Sequence, residues 1–581
     1  MKPILSLTFL LASALSTYAA PVISEIVADN TKGLQDEDGA FVDWIELHNP
    51  GDTPFDLKGH FLTDSIEDRP ERWAFPAVIL AADGYLVIYA SGKNRRAPES
   101  NLHTNFKLTS GGESLAIVAP DGAEIIDFMT FPPLETDHSY ILIDGDYADS
   151  NGPTPGEPNA TNAVLISVKG RAFTDKVVVE LSAPGGQAIK YTEDGKRPSL
   201  FNGKNYTGPI TLDKTTLLGA TAAGGPLKTE AFVKVDPELA NRDSDIPLVI
   251  ADAASSLSQT SMKEMIFAVI EPGDDGRANL VSEFQLSTRG GIRTRGETSN
   301  SFPKKPLRIE FWDENGDDRP LSPLGMPGEA DWVLNARYEF DRTLLHNTWI
   351  YELSNELGEW APQTRFVELY LNDNGDVSES DYNGIYTFME NIQRGKGRVD
   401  VETMEITDTS EPEITGGYVF RKDKTDPNTW NFNGGGESLQ MIYPREEERA
   451  ERAHQADWIS NYLDTMRDAI RDHGADPAQG YPAFIDEGAW LNHHQLNFLT
   501  NNVDALRLSA YFYLPRGGKL TAGPAWDFDR SAGGASDGRI ADPLQWGDGG
   551  GGTAFFERGN HGTPVWWEDL FATPDFVQNW V

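Results

Sequence analysis

The chain has 581 residues, no cysteine, and 49 lysines and arginines against 90 aspartates and glutamates, for a formal net charge of −41. That length exceeds what one hydrophobic core serves, so several domains are expected, and the lack of cysteine excludes disulfides, thiol chemistry and cysteine-held zinc. The negative field repels polyanions and favours divalent cations, which excludes DNA or RNA as a main partner.

The N-terminal stretch "MKPILSLTFLLASALSTYAAP" has Lys2, an apolar run from Ile4 to Leu15, and small residues ending at Ala19 and Ala20. This is the pattern of a signal peptide over residues 1–20, cleaved after Ala19 or Ala20, and it predicts a secreted or cell-surface protein. No later window offers the roughly 18 uninterrupted apolar residues of a membrane span.

Residues 21–160 alternate short β-rich runs ("PVISEIVADN", "DWIELHNPGD", "GYLVIYAS", "ESLAIVAPDG") with turn residues, and end in "NGPTPGEPNATN", which reads as a linker. The spacing predicts an antiparallel sandwich. "ISEIVADN", "DWIELHNPGD", "FDLKGHFLTD", "HTNFKLTSGGESLAIVAPDG" and "PTPGEPN" resemble the lamin-tail domain of secreted bacterial proteins, an immunoglobulin-like sandwich. That resemblance implies an interaction or scaffolding module. Asp43, Trp44 and Glu46 in "DWIEL" read as a binding cluster or, preferably, as a strand with one face in the core.

Residues 161–240 give a second β unit, in which "IKYTEDGKRPS…YTGPITL" resembles the small β-sandwich at the ends of chitobiase-type hexosaminidases. There the module is an accessory, so no glycosidase activity is implied. Either sandwich offers a surface for glycan or cell-wall contact. Asp194 followed by Gly195 reads as a turn.

From residue 245 helix patterns join strands, predicting an α+β domain. "REEERAERAHQADWISNYLDTMRDAIRDHG" spaces Trp458, Ile459, Tyr462, Leu463, Met466 and Ile470 as one helix face. "FIDEGAWLNHHQLNFLTNN" predicts a second helix capped by Asp486. "KKPLRIEFWD", "TRFVELYLN", "NGIYTFMEN" and "GGYVFRKD" predict strands.

Phosphoryl transfer requires a lid over the phosphates, a cation on them, carboxylates for Mg2+ and an aspartate for the acceptor hydroxyl. This domain supplies those residue types in order. "STRGGIRTRGETSNSFPKKPLRIEF" is a Gly- and Ser-rich turn before Lys304 and Lys305, of which a strand would present only one to the phosphates; the pair reads equally as a solvated edge. Glu390 ends a strand where a nucleotide-binding hinge would fall, or else pairs with Arg394 or Arg398. Asp504 follows the second helix, with Ser509 five residues on, where protein kinases place a metal-binding asparagine. "GPAWDFDRS" puts Asp527 after an apolar run and Asp529 two residues later, so shared coordination requires the backbone to turn at Phe528.

"GIRTRGETSNSFPKKPLRIEF", "DWVLNARYEFDRTLLHNTWIYELSNELG", "RFVELYLN", "YNGIYTFMENI", "NNVDALRLSAYFY" and "AGPAWDFDRS" resemble the CotH kinase family over residues 245–581. These are secreted, atypical protein-kinase-like proteins related to spore coat protein H, and their domain order is matched as well. The resemblance implies transfer of phosphate from ATP, with Mg2+, to Ser or Thr of an extracellular or cell-surface protein. It carries Asp504 as catalytic aspartate, Asp527 as metal ligand, Asp529 or Ser509 as a further ligand, and Lys304 or Lys305 on the phosphates. It also implies a flexible segment after Asp529 and a C-terminus that continues beyond Val581. The other reading is a catalytically inactive cell-surface binding or scaffold protein.

Other constellations fail on spacing. No H-E-x-x-H or G-x-S-x-G occurs. His493 and His494 read as one core-facing and one exposed histidine. "DENGDD" and "NDNGDVSESD" offer Ca2+ loops, but neither fits the EF-hand spacing, and hairpin turns are favoured.

Overall fold

The computed structural model describes residues 20–581 apart from 67–68, 123, 135, 144–145, 151, 160–163, 200–201, 223–224, 297–298, 337–338, 396, 425–428, 535–554 and 557–562. The expected signal peptide, except Ala20, and most of the glycine-rich segment after Asp529 lie outside the described residues. The chain divides into two compact units, one running to Gly170 and resuming over Lys176–Phe232, the other comprising Arg171–Asp175 and Val233–Val581.

In the first unit a six-stranded sheet has Val22–Val27 and Trp44–His48 at its centre, and a four-stranded sheet includes Glu113–Val118 and Ile125–Phe131. Ile23, Ile45, Leu47 and Ile88 from one sheet and Leu62, Leu115, Ile117 and Phe131 from the other share one buried core. "DWIEL" is therefore a central strand, with Trp44 and Glu46 both buried. Further along, Thr216–Ala220 pairs with Lys228–Phe232 and Gly219–Ala222 pairs with Ile189–Thr192, and Asp194 caps its own turn by accepting from the Lys196 amide.

The segment read as a linker is instead docked on the first sheet. Glu25 accepts from the Thr154 amide at 3.0 Å, Glu46 accepts from the Gly156 amide at 2.6 Å, and Asn159 donates to the Ser24 carbonyl at 2.7 Å. Its Gly and Pro content gave a loop, but composition does not show that two buried carboxylates lie opposite each other in register to receive it. Burial pushes Glu46 up to about 7, with the neighbouring Glu25 adding repulsion. A folded value above the ordinary 4.5 means that this group's stabilisation is complete below pH 4.5 and is lost as pH rises through about 7. Calorimetry of the full chain is expected to show the transition of the first unit falling over that range. Glu46→Gln should reduce the slope; an unchanged slope would refute the assignment.

In the second unit seven strands close into a barrel: β1 (Leu248–Ala253), β2 (Lys263–Ile270), β3 (Leu286–Thr294), β4 (Leu307–Trp312), β5 (Asp331–Asn335), β6 (Thr364–Asn372) and β7 (Tyr382–Glu390), in the order β1-β2-β3-β4-β5-β7-β6. Only the closing β1–β6 pair is parallel. The period of two is plain in β4, where Leu307, Ile309 and Phe311 fill the interior while Arg308, Glu310 and Trp312 are half-exposed. Gly290 and Gly291, expected in a lid over phosphates, lie within β3. A Cβ at 291 would come within 2.3 Å of the Trp312 ring, so the glycine is explained by close packing.

Beyond the barrel, β8 (Tyr418–Lys422), β9 (Asn431–Gly434), β10 (Glu437–Tyr443), β11 (Ala510–Leu514) and β12 (Thr521–Ala522) form an antiparallel sheet in the order β9-β10-β8-β11-β12. The helices are α1 (Leu345–Glu356), α2 (Ala453–His473), α3 (Glu487–Leu499), α4 (Val565–Phe571) and α5 (Pro574–Trp580). The expected face of α2 is buried through Ile459, Leu463, Met466 and Ile470, packing with Trp490, Phe512, Trp566 and Trp567. Asp486 caps α3, accepting from the Ala489 amide at 3.2 Å. Both His493 and His494 are buried, correcting the expectation of one exposed histidine. α4 and α5 cover the second face of α3: Trp580 Nε1 donates to His494 Nδ1 at 3.0 Å, which leaves Nε2 to donate to the Phe555 carbonyl at 2.8 Å. Burial lowers both rings to about 4, so they are neutral core groups.

Candidate functional site

The opposite face of the second sheet, through Val419 and Tyr511, shares a core with α1 and with Val333 and Met389 on the outside of the barrel. The β11–β12 hairpin delivers the chain to the rim of this core. After β12 ends at Ala522 the backbone runs irregularly to Asp527, which takes a left-handed φ of 65°, and a turn over Phe528–Ser531 follows. The reversal required for both carboxylates therefore occurs at Asp527, one residue before the expected Phe528. Two cavities open here. One is lined by Asp527, Arg295, Asn335, Asn347, Tyr351 and Trp526 among others. The second is lined by Asp529, Asp341, Asn335 and Asn347 among others. Asp527 and Asp529 thus flank one pair of asparagines.

Two hydrogen bonds from α1 hold this turn. Tyr351 Oη accepts from the Asp527 amide at 3.1 Å, and Asn347 Oδ1 accepts from the Phe528 amide at 2.6 Å. Ser509 Oγ lies 3.4 Å from Asp527 Oδ2. Asn501, Leu506, Ser509, Asp527 and Ala532 all have φ between 47° and 65°. Left-handed non-glycine residues cost of order 1 kcal/mol or more each and collect where function overrides strain.

Asp504 stands beside this turn but lines neither cavity. Arg507 donates to its Oδ1 at 2.7 Å and Arg530, three residues after Asp527, donates to its Oδ2 at 3.1 Å. Lys304 and Lys305 precede β4 rather than opening it, and neither lines either of these two cavities. Lys304 donates to the Ile385 carbonyl and sits 4.5 Å from the Tyr386 ring centroid, and burial lowers it to about 8. Glu390 is fully buried on the barrel-interior face, opposite Trp332 in register. It lies 3.2 Å from Arg398 and accepts from the Gln363 amide at 2.8 Å. Met389, on the other face of β7, lines the first cavity, so the structure separates Glu390 from the aspartates.

Sequence reasoning missed four residues that line the cavities: Arg295, Asn335, Asn347 and Tyr351. Arg295 is the one cation in either lining among the described residues, and its guanidinium lies 5.6 Å from the Trp526 ring centroid. "RTRG" carried a basic signal, but the asparagines and the tyrosine read only as strand-end and helix residues.

The donor set fits Mg2+ better than a closed protein cage. Two carboxylates, with the Ser509 hydroxyl beside one of them, suit an ion that keeps waters and takes its remaining ligands from phosphates. Among the described residues no three His, Asp or Glu side chains are grouped to hold a metal. The acidic loops expected as Ca2+ candidates are turns. Asp313 Oδ1 accepts from the amides of Asn315, Gly316 and Asp317, and Asp381 is part of a capping box with Ser378. No described helix is long and apolar enough to cross a membrane.

Residues 292–580 match the family model described as CotH kinase protein, and residues 15–132 match the model described as Lamin Tail Domain. The first match begins within β3, leaving two barrel strands upstream of it. No curated protein matches the chain.

Proposed function

The chain belongs to the CotH kinase protein family and carries a lamin tail domain toward its N-terminus; on that premise we propose that it is a secreted or cell-surface enzyme with a kinase-like domain, transferring the terminal phosphate of ATP to Ser or Thr of an extracellular protein. The observation that carries this reading is the left-handed turn at Asp527, which sets two carboxylates around the Asn335–Asn347 pair. Asp527 and Asp529 would hold Mg2+, with Ser509 beside Asp527, and the ion when bound supplies charge neutralisation for the phosphates. Arg295 reaches the same cavity and supplies a fork suited to phosphate oxygens. Asp504 is fixed in orientation by Arg507 and Arg530; a carboxylate has about four lone-pair sites, so it retains capacity to accept the hydroxyl proton. The acceptor oxygen bonds to the γ-phosphorus, the bond from that phosphorus to ADP breaks, and the proton passes to Asp504. Incubation of the full chain with γ-labelled ATP, Mg2+ and casein tests this: label on Ser or Thr supports it, and no incorporation contradicts it.

Lys304 gives a second test. Its ammonium is lowered to about 8 by burial, with Glu339 opposing the shift, so the charge is present below that pH and lost above it. If Lys304 steadies the phosphates, the affinity for an ATP analogue falls about tenfold between pH 7 and 9. Lys304→Met removes that dependence and Lys305→Met keeps it. A pH-independent wild-type affinity would leave Lys304 as a structural residue.

Two observations favour the inactive-scaffold reading. Both oxygens of Asp504 are engaged by arginines. Asp504 also lines neither of the two cavities that Asp527 and Asp529 line. Under that reading the N-terminal β modules bind glycan or cell wall, and ATP with Mg2+ produces no thermal shift.

A further inference from the structure

Helix α1 touches the D-F-D turn only through its inner face. Asn347 and Tyr351 are four residues apart, so their side chains lie one above the other on one side of the helix. They are 5% and 1% exposed and accept hydrogen bonds from successive backbone amides, those of Phe528 and Asp527. The Tyr351 ring also stacks on Trp526, with centroids 6.2 Å apart and planes 12° from parallel. These three contacts bracket the residue whose backbone is left-handed. Without the two acceptors, the Asp527 and Phe528 amides would lose these partners at the edge of a buried core, at and beside the residue held at φ 65°. The same helix is tied at its start to the second cavity: Asp341, which lines it with Asp529, accepts from the Thr343 amide just before α1 and from the His346 amide in its first turn.

We propose that Asn347 and Tyr351 are positioning residues that set the affinity of the Asp527–Asp529 pair for a divalent cation by fixing the backbone between them. The inference rests on the reading that these aspartates hold Mg2+. It predicts that the orientation of α1 governs cation affinity, because both acceptors ride on one rigid element. Neither residue is assigned a contact with the reacting atoms.

The test is direct titration of the full chain with Mn2+, without nucleotide, followed by electron paramagnetic resonance. Tyr351→Phe and Asn347→Leu each delete one acceptor and are expected to weaken Mn2+ binding about tenfold, a loss the size of one hydrogen bond to a buried amide. Asn347→Asp keeps an accepting oxygen and is expected to bind Mn2+ at least as tightly as the wild type, which serves as the rescue. Thermal midpoints are recorded alongside, since a structural role alone would lower the midpoints of Tyr351→Phe and Asn347→Leu while leaving their Mn2+ affinity at the wild-type value. Wild-type affinity in both Tyr351→Phe and Asn347→Leu would overturn this inference and leave the cation reading standing. Absence of Mn2+ binding in the wild type would overturn both.

Discussion

Replacing Asp527 by asparagine is expected to lower phosphate incorporation about a thousandfold while leaving the thermal midpoint nearly unchanged. Asparagine is the informative choice because position 527 has a φ of 65°. Asparagine and aspartate adopt that conformation with little strain, whereas alanine adds a backbone penalty of about 1 kcal/mol and confuses lost charge with lost structure. The Asp527 amide that donates to Tyr351 is retained in Asp527→Asn. A variant that folds normally and keeps wild-type incorporation would remove Asp527 from the chemistry. The corresponding change at Asp529, which is 2% exposed, should cost both activity and stability, because its carboxylate is buried among groups that pack and pair with it.

The largest stability effect is expected at Glu390. Its removal as Glu390→Ala leaves Arg398, 5% exposed, buried beside Trp332 and Glu329 without its nearest carboxylate. Breaking a buried pair from one side typically costs about 3–5 kcal/mol. Chemical denaturation should show a loss of that size, with the affinity for an ATP analogue unchanged in the protein that remains folded. A selective loss of nucleotide affinity with full stability would restore Glu390 to the binding site. Burial raises the Glu390 carboxyl while the Gln363 amide and Arg398 lower it, so the pair depends on both partners.

Local patterns in the sequence were carried through where one residue's neighbours along the chain decide its fate. The face of α2, the Asp486 cap and the alternation in β4 all follow from spacing alone. The barrel did not, because closure depends on the parallel β1–β6 pairing between residues more than a hundred positions apart. The candidate site divides along the same line. Asp527 and Asp529 were legible as neighbours in one short motif. Asn335 and Asn347 were not, since each becomes a site residue only when β5 and α1 pack around a turn nearly two hundred residues later. Lys304 was legible only as one of a pair before a strand, and its place against the Ile385 carbonyl follows from the packing of a strand some eighty residues on. The buried histidines fit the same account, because α3 is covered on its second face by helices that its own sequence does not announce.

Asp527 and Asp529 are proposed to hold a divalent cation on a nucleotide. Anomalous diffraction from crystals of the full chain soaked with Mn2+ and a nonhydrolysable ATP analogue tests it most directly. The account predicts a manganese peak within about 2.3 Å of an Asp527 carboxylate oxygen, with the γ-phosphate on its far side. Nucleotide bound with no peak there, or a peak at another acidic cluster, would contradict it.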